Sequence, residues 1–284
     1  MKELSRGFFS GERALFRSTD LRVSDSVFDD GESPLKECSN IKLGSCLFRW
    51  KYPLWHCIGV SASDCAFFVN SRAGIWYSED ISFENCAVES PKNFRRCSGV
   101  SLKNVSFSDA AETLWNCRKV SLENVTAKGD YFGMNCSDIT ADGLTLFGNY
   151  CFDGCRNVTV KNSRLLSKDA FWNCENVTLT DSFVSGEYFG WNSKNITLIN
   201  CTVESLQGFC RMENLTMKNC RLINTELAFE YSTVNAEITG DIKSIKNPAG
   251  GMISADSIGE TILESGIVDT SRTEVICRGS ERQP

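Results

Sequence analysis

Hydrophobic residues recur along this chain in a phrase of about 19 residues. The segment FWNCENVTLTDSFV (171–184) has related copies that begin at Leu35, Leu54 and Leu114. When the Cys of each copy is taken as position zero, successive zeros lie 19 to 21 residues apart, at Ser18, Cys38, Cys57, Ser78, Cys97, Cys117, Cys136, Cys155, Cys174, Ser193, Met212 and Tyr231. A repeat this short cannot bury its own hydrophobic face, so its copies must stack, as they do in a solenoid.

Alternation within each copy predicts a β-strand directly after position zero. The residue three places after zero is always aliphatic and the residue five places after is always apolar, as in Val177 and Leu179. Hydroxyl residues dominate the position between them, as in Thr178. A period of two residues is typical of a strand with one buried and one solvated face.

Two further positions predict corners of the backbone. Asn, Asp and Gly dominate the position two places after zero, and Asn and Asp the position seven places after, as in Asn195 and Asn200. These residue types tolerate a left-handed backbone, and Asn side chains bond to neighbouring turns. Apolar residues resume eight and ten places after zero, as in Cys201 and Val203. Each copy therefore predicts a strand, a corner, a second strand, a second corner and a third strand.

The predicted fold class is all-β, a single-stranded right-handed parallel β-helix (β-solenoid) of about 12 rungs of about 19 residues. The right hand is an expectation from related folds, because periodicity alone does not fix it. We predict a single domain over residues 1–284, with an N-terminal cap at 1–17, regular rungs at 18–240, and an irregular C-terminal rung and cap at 241–284.

Charge and hydropathy limit the classes of partner. Lys and Arg total 30 against 36 Asp and Glu, a net charge of -6, and no basic run stands out, so we expect no nucleic-acid partner. The N-terminal segment MKELSRGFFSGERALF lacks the apolar run of a signal peptide, and no segment has the roughly 18 apolar residues of a membrane span. We expect a soluble cytoplasmic protein with no membrane partner.

The cysteine pattern predicts free thiols. The chain has 15 cysteines, of which seven occupy position zero and five the position eight residues later. Cysteines stacked on adjacent rungs would have parallel Cβ atoms about 4.8 Å apart, farther than the roughly 3.8 Å of a relaxed disulfide. Cys151 and Cys155 fall on one rung and His56 is the sole histidine, so we expect no metal site. The sequence has no nucleotide or dinucleotide motif, and we expect no cofactor.

The column two places before zero is unusual because it holds five of the six tryptophans. Its members are Phe16, Lys36, Trp55, Trp76, Arg95, Trp115, Met134, Asp153, Trp172, Trp191, Cys210 and Phe229. The column three places before zero is mostly apolar, and one straight strand cannot bury both. Lys36, Arg95 and Asp153 predict that the tryptophan column faces outward, because an unpaired charge inside a solenoid costs more than an exposed indole. Gly133 and Gly190 would then leave space inside unless the preceding phenylalanines turn inward.

A charged edge lies beside the tryptophan column, five or six places before zero. Aromatic rings stack on sugar faces, and carboxylates on successive rungs have the spacing that glycoside hydrolysis uses. The candidate catalytic acids and bases are Glu112, Asp130, Asp153, Asp169 and Glu187. The candidate substrate-binding residues are Trp55, Trp76, Lys92, Arg95, Trp115, Trp172 and Trp191. Lys92 and Arg95, together with the neighbouring Arg96, are cations that suit the carboxylate of a uronate.

Two functions remain open at this point. The first is carbohydrate binding or oligosaccharide cleavage, by a hydrolase or a lyase, on the tryptophan-rich third-strand face. The second is a non-catalytic scaffold, or a protein-interaction or homo-oligomer module, that uses the same face, because large exposed apolar patches mark contacts between proteins. Plain packing of the tryptophans beneath neighbouring loops is a further alternative. The sequence does not decide whether the protein is an enzyme, which sugar it takes, or its oligomeric state.

Several phrases resemble an uncharacterised bacterial family of unknown function within the pectin-lyase-like superfamily. They are GERALF (11–16), GESPLKE (31–37), KYPLWHC (51–57), RAGIWYS (72–78), SKDAFWNCENVTL (167–179) and GEYFGWNSKN (186–195). The resemblance spans essentially the whole chain and implies a right-handed parallel β-helix, but no activity. The superfamily contains lyases, hydrolases and esterases as well as non-enzymatic spikes and adhesins. The Asp-Asp pair with a downstream Gly-His of its pectin-degrading enzymes is absent here.

Overall fold

The computed structural model describes residues 1–264 and 266–281, and strands dominate it. The chain divides into an N-terminal unit, Met1–Phe147, and a C-terminal unit, Gly148–Pro284. Each unit is a right-handed parallel β-solenoid, in which consecutive turns of the chain stack as parallel strands. The predicted fold class is therefore confirmed, whereas the single domain over residues 1–284 stays a prediction.

The N-terminal unit has sixteen strands. They are β1 (Lys2–Ser5), β2 (Phe8–Phe9), β3 (Thr19–Ser24), β4 (Val27–Phe28), β5 (Ser39–Gly44), β6 (Leu47–Phe48), β7 (Ile58–Ser63), β8 (Ala66–Phe67), β9 (Glu79–Glu84), β10 (Ala87–Val88), β11 (Ser98–Lys103), β12 (Ser106–Phe107), β13 (Arg118–Glu123), β14 (Thr126–Lys128), β15 (Ser137–Asp142) and β16 (Thr145–Phe147). The odd-numbered strands form the first face of this unit and the even-numbered strands the second face.

The C-terminal unit continues the numbering. Its strands are β17 (Arg156–Lys161), β18 (Arg164–Leu166), β19 (Asp169–Ala170), β20 (Glu175–Thr180), β21 (Phe183–Gly186), β22 (Tyr188–Phe189), β23 (Lys194–Ile199), β24 (Thr202–Ser205), β25 (Glu213–Ile223), β26 (Thr233–Ile238), β27 (Asp241–Lys246), β28 (Gly250–Ala255), β29 (Ser257–Ile262) and β30 (Thr273–Cys277). Two short 3₁₀ turns, Thr270–Arg272 and Arg278–Glu281, flank β30.

The strand register follows the sequence repeat. Leu21 of β3 pairs with Ile41 of β5, and Ile41 pairs with Val60 of β7, so residues of one column become vertical neighbours. The solenoid also extends beyond the twelve predicted rungs. The predicted cap at 1–17 contains β1 and β2, which pair with β3 and β4. In the predicted closing segment at 241–284, β28 pairs with β26 and β30 pairs with β28, while residues 265 and 282–284 lie outside the described residues.

A stack of phenylalanines fills part of the core of the N-terminal unit. The ring centroids of Phe9 and Phe28 lie 4.9 Å apart, and Phe28–Phe48 and Phe48–Phe67 each lie 4.6 Å apart. Phe48 and Phe67 have no exposed surface. Burying one such ring contributes about 1.5–3 kcal/mol, and each aromatic contact adds roughly 0.5–1.5 kcal/mol.

Asparagine ladders hold the corners. The Nδ2 atoms of Asn176, Asn195 and Asn214 each donate to the Oδ1 atom of the Asn 19 residues earlier, over 3.1, 2.9 and 2.9 Å. These residues have positive φ, for example 55° at Asn195. The corner role predicted for Asn is therefore confirmed, because only a short polar side chain combines left-handed backbone with this bond.

The side chain at position zero bonds to the turn before it. The Sγ of Cys136 donates to the backbone oxygen of Leu114 (2.8 Å) and accepts from the backbone N–H of Cys117 (3.1 Å). The Oγ of Ser78 makes the same two bonds, with the oxygen of Leu54 (2.9 Å) and the N–H of Cys57 (3.0 Å). A thiol and a hydroxyl make the same two hydrogen bonds here, which explains why this column contains both Cys and Ser.

All fifteen cysteines are free thiols, as predicted. Fourteen are buried, and Cys277 is of intermediate exposure. Burial raises the pKa of Cys38 to about 11 and the pKa of Cys57 to about 12, because the thiolate form would lose its hydration.

The corner between the second and third faces absorbs the variation in repeat length. Five residues separate Phe48 from Leu54 in one turn, and seven separate Phe67 from Ile75 in the next, yet all four side chains are fully buried. The longer corner is held by a buried polar network in which, for example, the Oδ1 of Asn93 accepts from a backbone N–H over 2.8 Å. Extra residues are therefore accommodated at this corner without shifting the stacked columns.

The third face differs from the prediction of a strand in every turn. In the N-terminal unit it forms only isolated bridges, Trp76 to Arg95 and Arg95 to Trp115, within the described residues. The reason is an alternating left-handed backbone, with φ of 54°, 58° and 54° at Glu112, Leu114 and Asn116. The C-terminal unit does form third-face strands: β19 pairs with β22, and Ile245 of β27 bridges to the third-face residue Ala228.

The structure resolves which third-face column is inside. Residues three places before zero, such as Leu114 and Phe171, are fully buried, whereas the tryptophans one place later are half-buried. The outward prediction is wrong for two members of that column, Cys210 and Phe229, which are 2% and 0% exposed; the ring of Phe229 packs on the buried Phe209. Gly133 and Gly190 adopt positive φ of 81° and 71°. The phenylalanines that precede these glycines, Phe132 and Phe189, are buried in their place.

Candidate functional site

Four third-face side chains of the N-terminal unit form a continuous column, the indole–guanidinium stack: Trp55, Trp76, Arg95 and Trp115. The rings of Trp55 and Trp76 stack with centroids 5.1 Å apart and planes 6° apart. The Arg95 guanidinium carbon lies 5.1 Å from the ring centroid of Trp76 and 4.4 Å from that of Trp115. Trp76 therefore has a partner on both faces, and Arg95 lies between two indoles, a cation–π arrangement.

The Glu112 carboxylate pairs with two cations, Arg95 within this stack and Lys92 beside it. Its carboxylate forms an ion pair with the Arg95 guanidinium, and the Nζ of Lys92 lies 3.4 Å from the same carboxylate oxygen. Two cations thus share one predicted catalytic acid. This arrangement keeps Glu112 bound to protein partners, as a structural ion pair requires.

The indole N–H groups of the stack are also satisfied. The Nε1 atoms of Trp55, Trp76 and Trp115 donate to backbone oxygens of the next turn, over 2.5, 2.7 and 2.7 Å. The acceptors are Ala73, Lys92 and Tyr131. Each acceptor lies five places before its zero and has a left-handed backbone, with φ of 51°, 63° and 58°. That conformation directs the carbonyl towards the indole below it.

The C-terminal unit has a second group, the aromatic–carboxyl cluster: Tyr150, Asp169, Trp172, Tyr188 and Trp191. The ring centroids of Tyr150 and Trp172 lie 6.0 Å apart with planes at 88°, and those of Trp172 and Trp191 lie 5.9 Å apart at 32°. Tyr188 meets Trp172 at 68° and Trp191 at 88°, each over 6.4 Å. Edge-to-face contacts dominate this cluster, unlike the parallel stack of the N-terminal unit.

Asp169 is a buried carboxyl with an incomplete set of hydrogen bonds. Its residue is 2% exposed, and its Oδ1 has no hydrogen-bond partner among the described residues. Burial raises the pKa of the Asp169 carboxyl above its usual range. The positive charge of Lys168 and a hydrogen bond from Tyr150 oppose this rise in pKa, and the charge of Glu187 adds to it. Asp169 is therefore the predicted acid whose surroundings most favour a retained proton.

Trp172 carries the second unpartnered buried atom of the same turn. Its Nε1 is inaccessible to solvent and finds no acceptor in the described part of the chain. The equivalent acceptor would be the backbone oxygen of Tyr188, but Tyr188 lies in β22 with an extended backbone. The local change from left-handed to extended backbone leaves the indole N–H of Trp172 unsatisfied, at a cost of about 1–3 kcal/mol.

The remaining predicted residues lie around these groups. Glu187 forms an ion pair with Lys168, with a 3.2 Å separation. Asp153 accepts a 3.0 Å hydrogen bond from Asn173, as part of a corner ladder. Asp130 is exposed, and its backbone oxygen accepts from the N–H of Glu112 over 2.9 Å. The four acids of the charged edge thus differ in environment although they lie at similar positions in the repeat, and Asp153 lies in the tryptophan column instead.

The contribution of Tyr150 and Tyr188 to the aromatic–carboxyl cluster was not predicted from the sequence. The signal was present, because four of the six tyrosines lie five places before zero, at Tyr52, Tyr131, Tyr150 and Tyr188. This column adjoins the tryptophan column and supplies the rings that meet it edge to face. A tyrosine in this otherwise mostly charged column therefore indicates a turn in which an aromatic ring contacts the tryptophan column.

Two properties of the described residues concern metal binding and membrane-spanning helices. They contain no group of three or more His, Cys, Asp or Glu side chains arranged to hold a metal ion. None of their helices has the length and hydropathy needed to cross a membrane.

Several solved structures are similar to this chain at low sequence identity. A surface adhesin of Streptococcus pneumoniae, PfbA, is 8% identical, with 92% of this chain and 85% of that chain covered and a TM-score of 0.43. The tailspike of Escherichia coli bacteriophage HK620, solved with a hexasaccharide, is 9% identical, with 99% and 72% covered and a TM-score of 0.42. The A-module of the mannuronan C-5 epimerase AlgE6 of Azotobacter vinelandii is 13% identical, with 91% and 78% covered and a TM-score of 0.30. Likeness at this level carries no argument about function.

The family of this chain, unlike its function, follows from sequence comparison. No curated protein matches the sequence. A family model described as "Protein of unknown function (DUF3737)" matches residues 2–276, nearly the whole chain, in agreement with the resemblance found in the repeated phrases. The chain therefore belongs to the DUF3737 family, a family of unknown function.

Proposed function

We propose that this protein binds carbohydrate through the aromatic–carboxyl cluster of its C-terminal unit. The observation that carries the proposal is the pair of unpartnered buried atoms, Oδ1 of Asp169 and Nε1 of Trp172. Buried polar groups are almost always hydrogen-bonded in native proteins, so two exceptions on one turn require an explanation.

A sugar hydroxyl has the hydrogen-bonding chemistry to partner each of these two atoms. Asp169 offers an acceptor and Trp172 a donor, and a hydroxyl both donates and accepts. Tyr150 connects the two, because its hydroxyl bonds to the Asp169 carboxyl and its ring contacts Trp172. The aromatic rings around them supply the apolar surface against which the C–H face of a sugar packs.

Binding has more support than cleavage. Glycoside hydrolysis needs one acid that keeps its proton and a second, ionised carboxylate. Asp169 suits the first role because burial raises its pKa, and Glu187 is the carboxylate whose charge acts on it. The Glu187 carboxylate is however paired with Lys168. If the bound oligosaccharide is cleaved, Asp169 is the acid of choice and Glu187 its partner.

The scaffold alternative draws support from the N-terminal unit. In the indole–guanidinium stack, the indole N–H groups, the Arg95 guanidinium and the Glu112 carboxylate all have protein partners. Such a stack stabilises the solenoid without any ligand. A role for Trp55, Trp76 and Trp115 in sugar binding therefore has less support than a role for Trp172 and Trp191.

A glycan array with three variants tests the proposal. Trp172→Phe removes the unpartnered donor, and Asp169→Asn alters the unpartnered acceptor. We expect the native protein to bind one class of oligosaccharide, and both Trp172→Phe and Asp169→Asn to bind it at least about tenfold more weakly, as the loss of a buried hydrogen bond implies. Trp115→Phe is the matched control, since the N–H of Trp115 already bonds to Tyr131, and it should bind as the native protein does.

The competing outcomes are distinct. No binding to any glycan, together with a stable dimer in light scattering that Trp172→Phe disrupts, would favour the homo-oligomer alternative. Equal losses in Trp172→Phe and Trp115→Phe would mean that the variants act through folding, and would overturn the assignment of the site. Release of shorter sugars by the native protein, abolished in Asp169→Asn, would extend the proposal from binding to cleavage.

A further inference from the structure

A cavity lies in the N-terminal unit, at the corner that joins the third face to the first. Its volume is about 300 Å³, and its lining includes Tyr77, Glu79, Arg96, Ser98 and Arg118. It shares no residue with the aromatic–carboxyl cluster, so it would be an independent site.

Both arginines of this cavity point back towards the preceding turn. The Nε of Arg118 donates to the Oγ of Ser98 over 3.2 Å, and the guanidinium carbon of Arg96 lies 5.8 Å from the ring centroid of Tyr77. Tyr77 in turn stacks on His56 with centroids 5.0 Å apart. These contacts orient two guanidinium groups from successive turns into one cavity.

The arginines lack the acidic partners that cations have elsewhere at this corner. Arg17 pairs with Glu37 over 2.8 Å, and Lys194 pairs with Glu213 over 2.9 Å, each with an acid on the next turn. Over the residues that the structure describes, neither Arg96 nor Arg118 forms an ion pair. Two arginines against one acidic residue, Glu79, leave the lining of this cavity net positive, which favours an oxyanion.

The acidic residue Glu79 limits which kinds of anion this cavity can bind. Glu79 also lines the cavity and has no ion-pair partner in the described structure, so its negative charge opposes the binding of a bare anion. A hydroxyl on the ligand would donate to Glu79 and turn that repulsion into a hydrogen bond. A phosphate monoester carries about -1.5 to -2 charges near neutral pH, which two guanidiniums balance better than they balance a single carboxylate.

We propose that the cavity lined by Arg96, Arg118 and Glu79 binds a phosphate monoester of a polyhydroxyl compound, with the phosphate on the arginines and a hydroxyl on Glu79. The phosphate contacts are those of planar guanidinium forks, which bind such oxygens by two parallel hydrogen bonds.

Calorimetric titration of the full chain, at ionic strength held constant with chloride, tests this site. The probes are glucose 6-phosphate, inorganic phosphate and gluconate. We expect saturable binding of glucose 6-phosphate, stronger than that of either other probe. Arg96→Gln and Arg118→Gln should each weaken it by at least about tenfold, the effect of one charge-assisted hydrogen bond. Arg156→Gln is the control, because Arg156 occupies the position of Arg118 in another turn and is paired with Glu175.

Glu79→Gln provides the second test. It should tighten the binding of inorganic phosphate, by removing a repulsive charge, while it weakens the binding of glucose 6-phosphate. Equal binding of all three probes, a change of the same sign for both phosphates in Glu79→Gln, or an equal loss in Arg156→Gln would overturn the proposal. Tighter binding of gluconate than of either phosphate would also overturn it, in favour of a carboxylate ligand.

Discussion

At the scale of single residues, Asp169 shows how the backbone decides the chemistry of a side chain. Its position five places before zero is occupied by Glu112 in another turn, where φ is 54° and the carboxylate pairs with Arg95. At Asp169 the backbone is extended in β19, and the carboxyl is buried. The sequence places both acids on one edge but does not predict which of them is buried, because that depends on a local backbone change that the repeat does not encode.

The buried carboxyl predicts a specific dependence of stability on pH. Unfolded Asp releases its proton near a pKa of about 3.9, whereas burial raises the pKa of Asp169 in the folded state. Between these two values the unfolded chain binds fewer protons, so this residue lowers the free energy of unfolding as the pH rises. The Asp169→Asn variant has no ionisable group at this position, so the decrease in the free energy of unfolding that Asp169 causes as the pH rises is absent from it.

We therefore expect the stability of Asp169→Asn relative to the native protein to increase as the pH rises above about 3.9, and then to level off. Urea unfolding of both proteins over a series of pH values measures this difference. A difference that stays constant with pH would show that Asp169 ionises normally in the folded state.

At the scale of elements, the position-zero column acts as a hydrogen-bonded ladder inside each unit. Cys136→Ala would leave two buried backbone groups without partners, the N–H of Cys117 and the oxygen of Leu114. Each such group costs about 1–3 kcal/mol. Cys136→Ser keeps both bonds, as Ser78 does in its own turn.

We expect Cys136→Ala to lower the free energy of unfolding by about 2 kcal/mol or more, and Cys136→Ser to lower it by less than half as much. Chemical denaturation of the two variants measures the difference. Equal losses would mean that the side chain only fills space.

The faces differed in how far the sequence could predict them. The first face follows from strict alternation, as in Val177, Thr178 and Leu179, and both its strands and its inward columns are confirmed. The third face could not be predicted as it is, because alternating left-handed residues such as Leu114 and Phe171 imitate the alternation of a strand. Its inward column was still predictable, since the charges of Lys36 and Arg95 exclude the other column from the core.

At the scale of the whole molecule, the cysteines give a direct test of the packing. We expect DTNB near pH 8 to react quickly with about one thiol of the native protein, Cys277, and with all fifteen after denaturation. Burial protects the others by excluding the reagent, and it also raises the pKa of several of them, for example to about 12 at Cys151. Rapid reaction of many thiols in the native protein would contradict this packing, and far fewer than fifteen in denaturant would indicate disulfides.

The corner that absorbs extra residues has a practical consequence. Between Phe67 and Ile75 the chain already carries two residues more than between Phe48 and Leu54, and the flanking side chains stay in place. Because the cost of lengthening a surface loop grows slowly, a foreign peptide could be grafted here while the stacked strands remain aligned. The same graft within a strand would shift every later side chain out of its column. This corner is thus a natural point for displaying epitopes or attaching labels at a defined height along a solenoid.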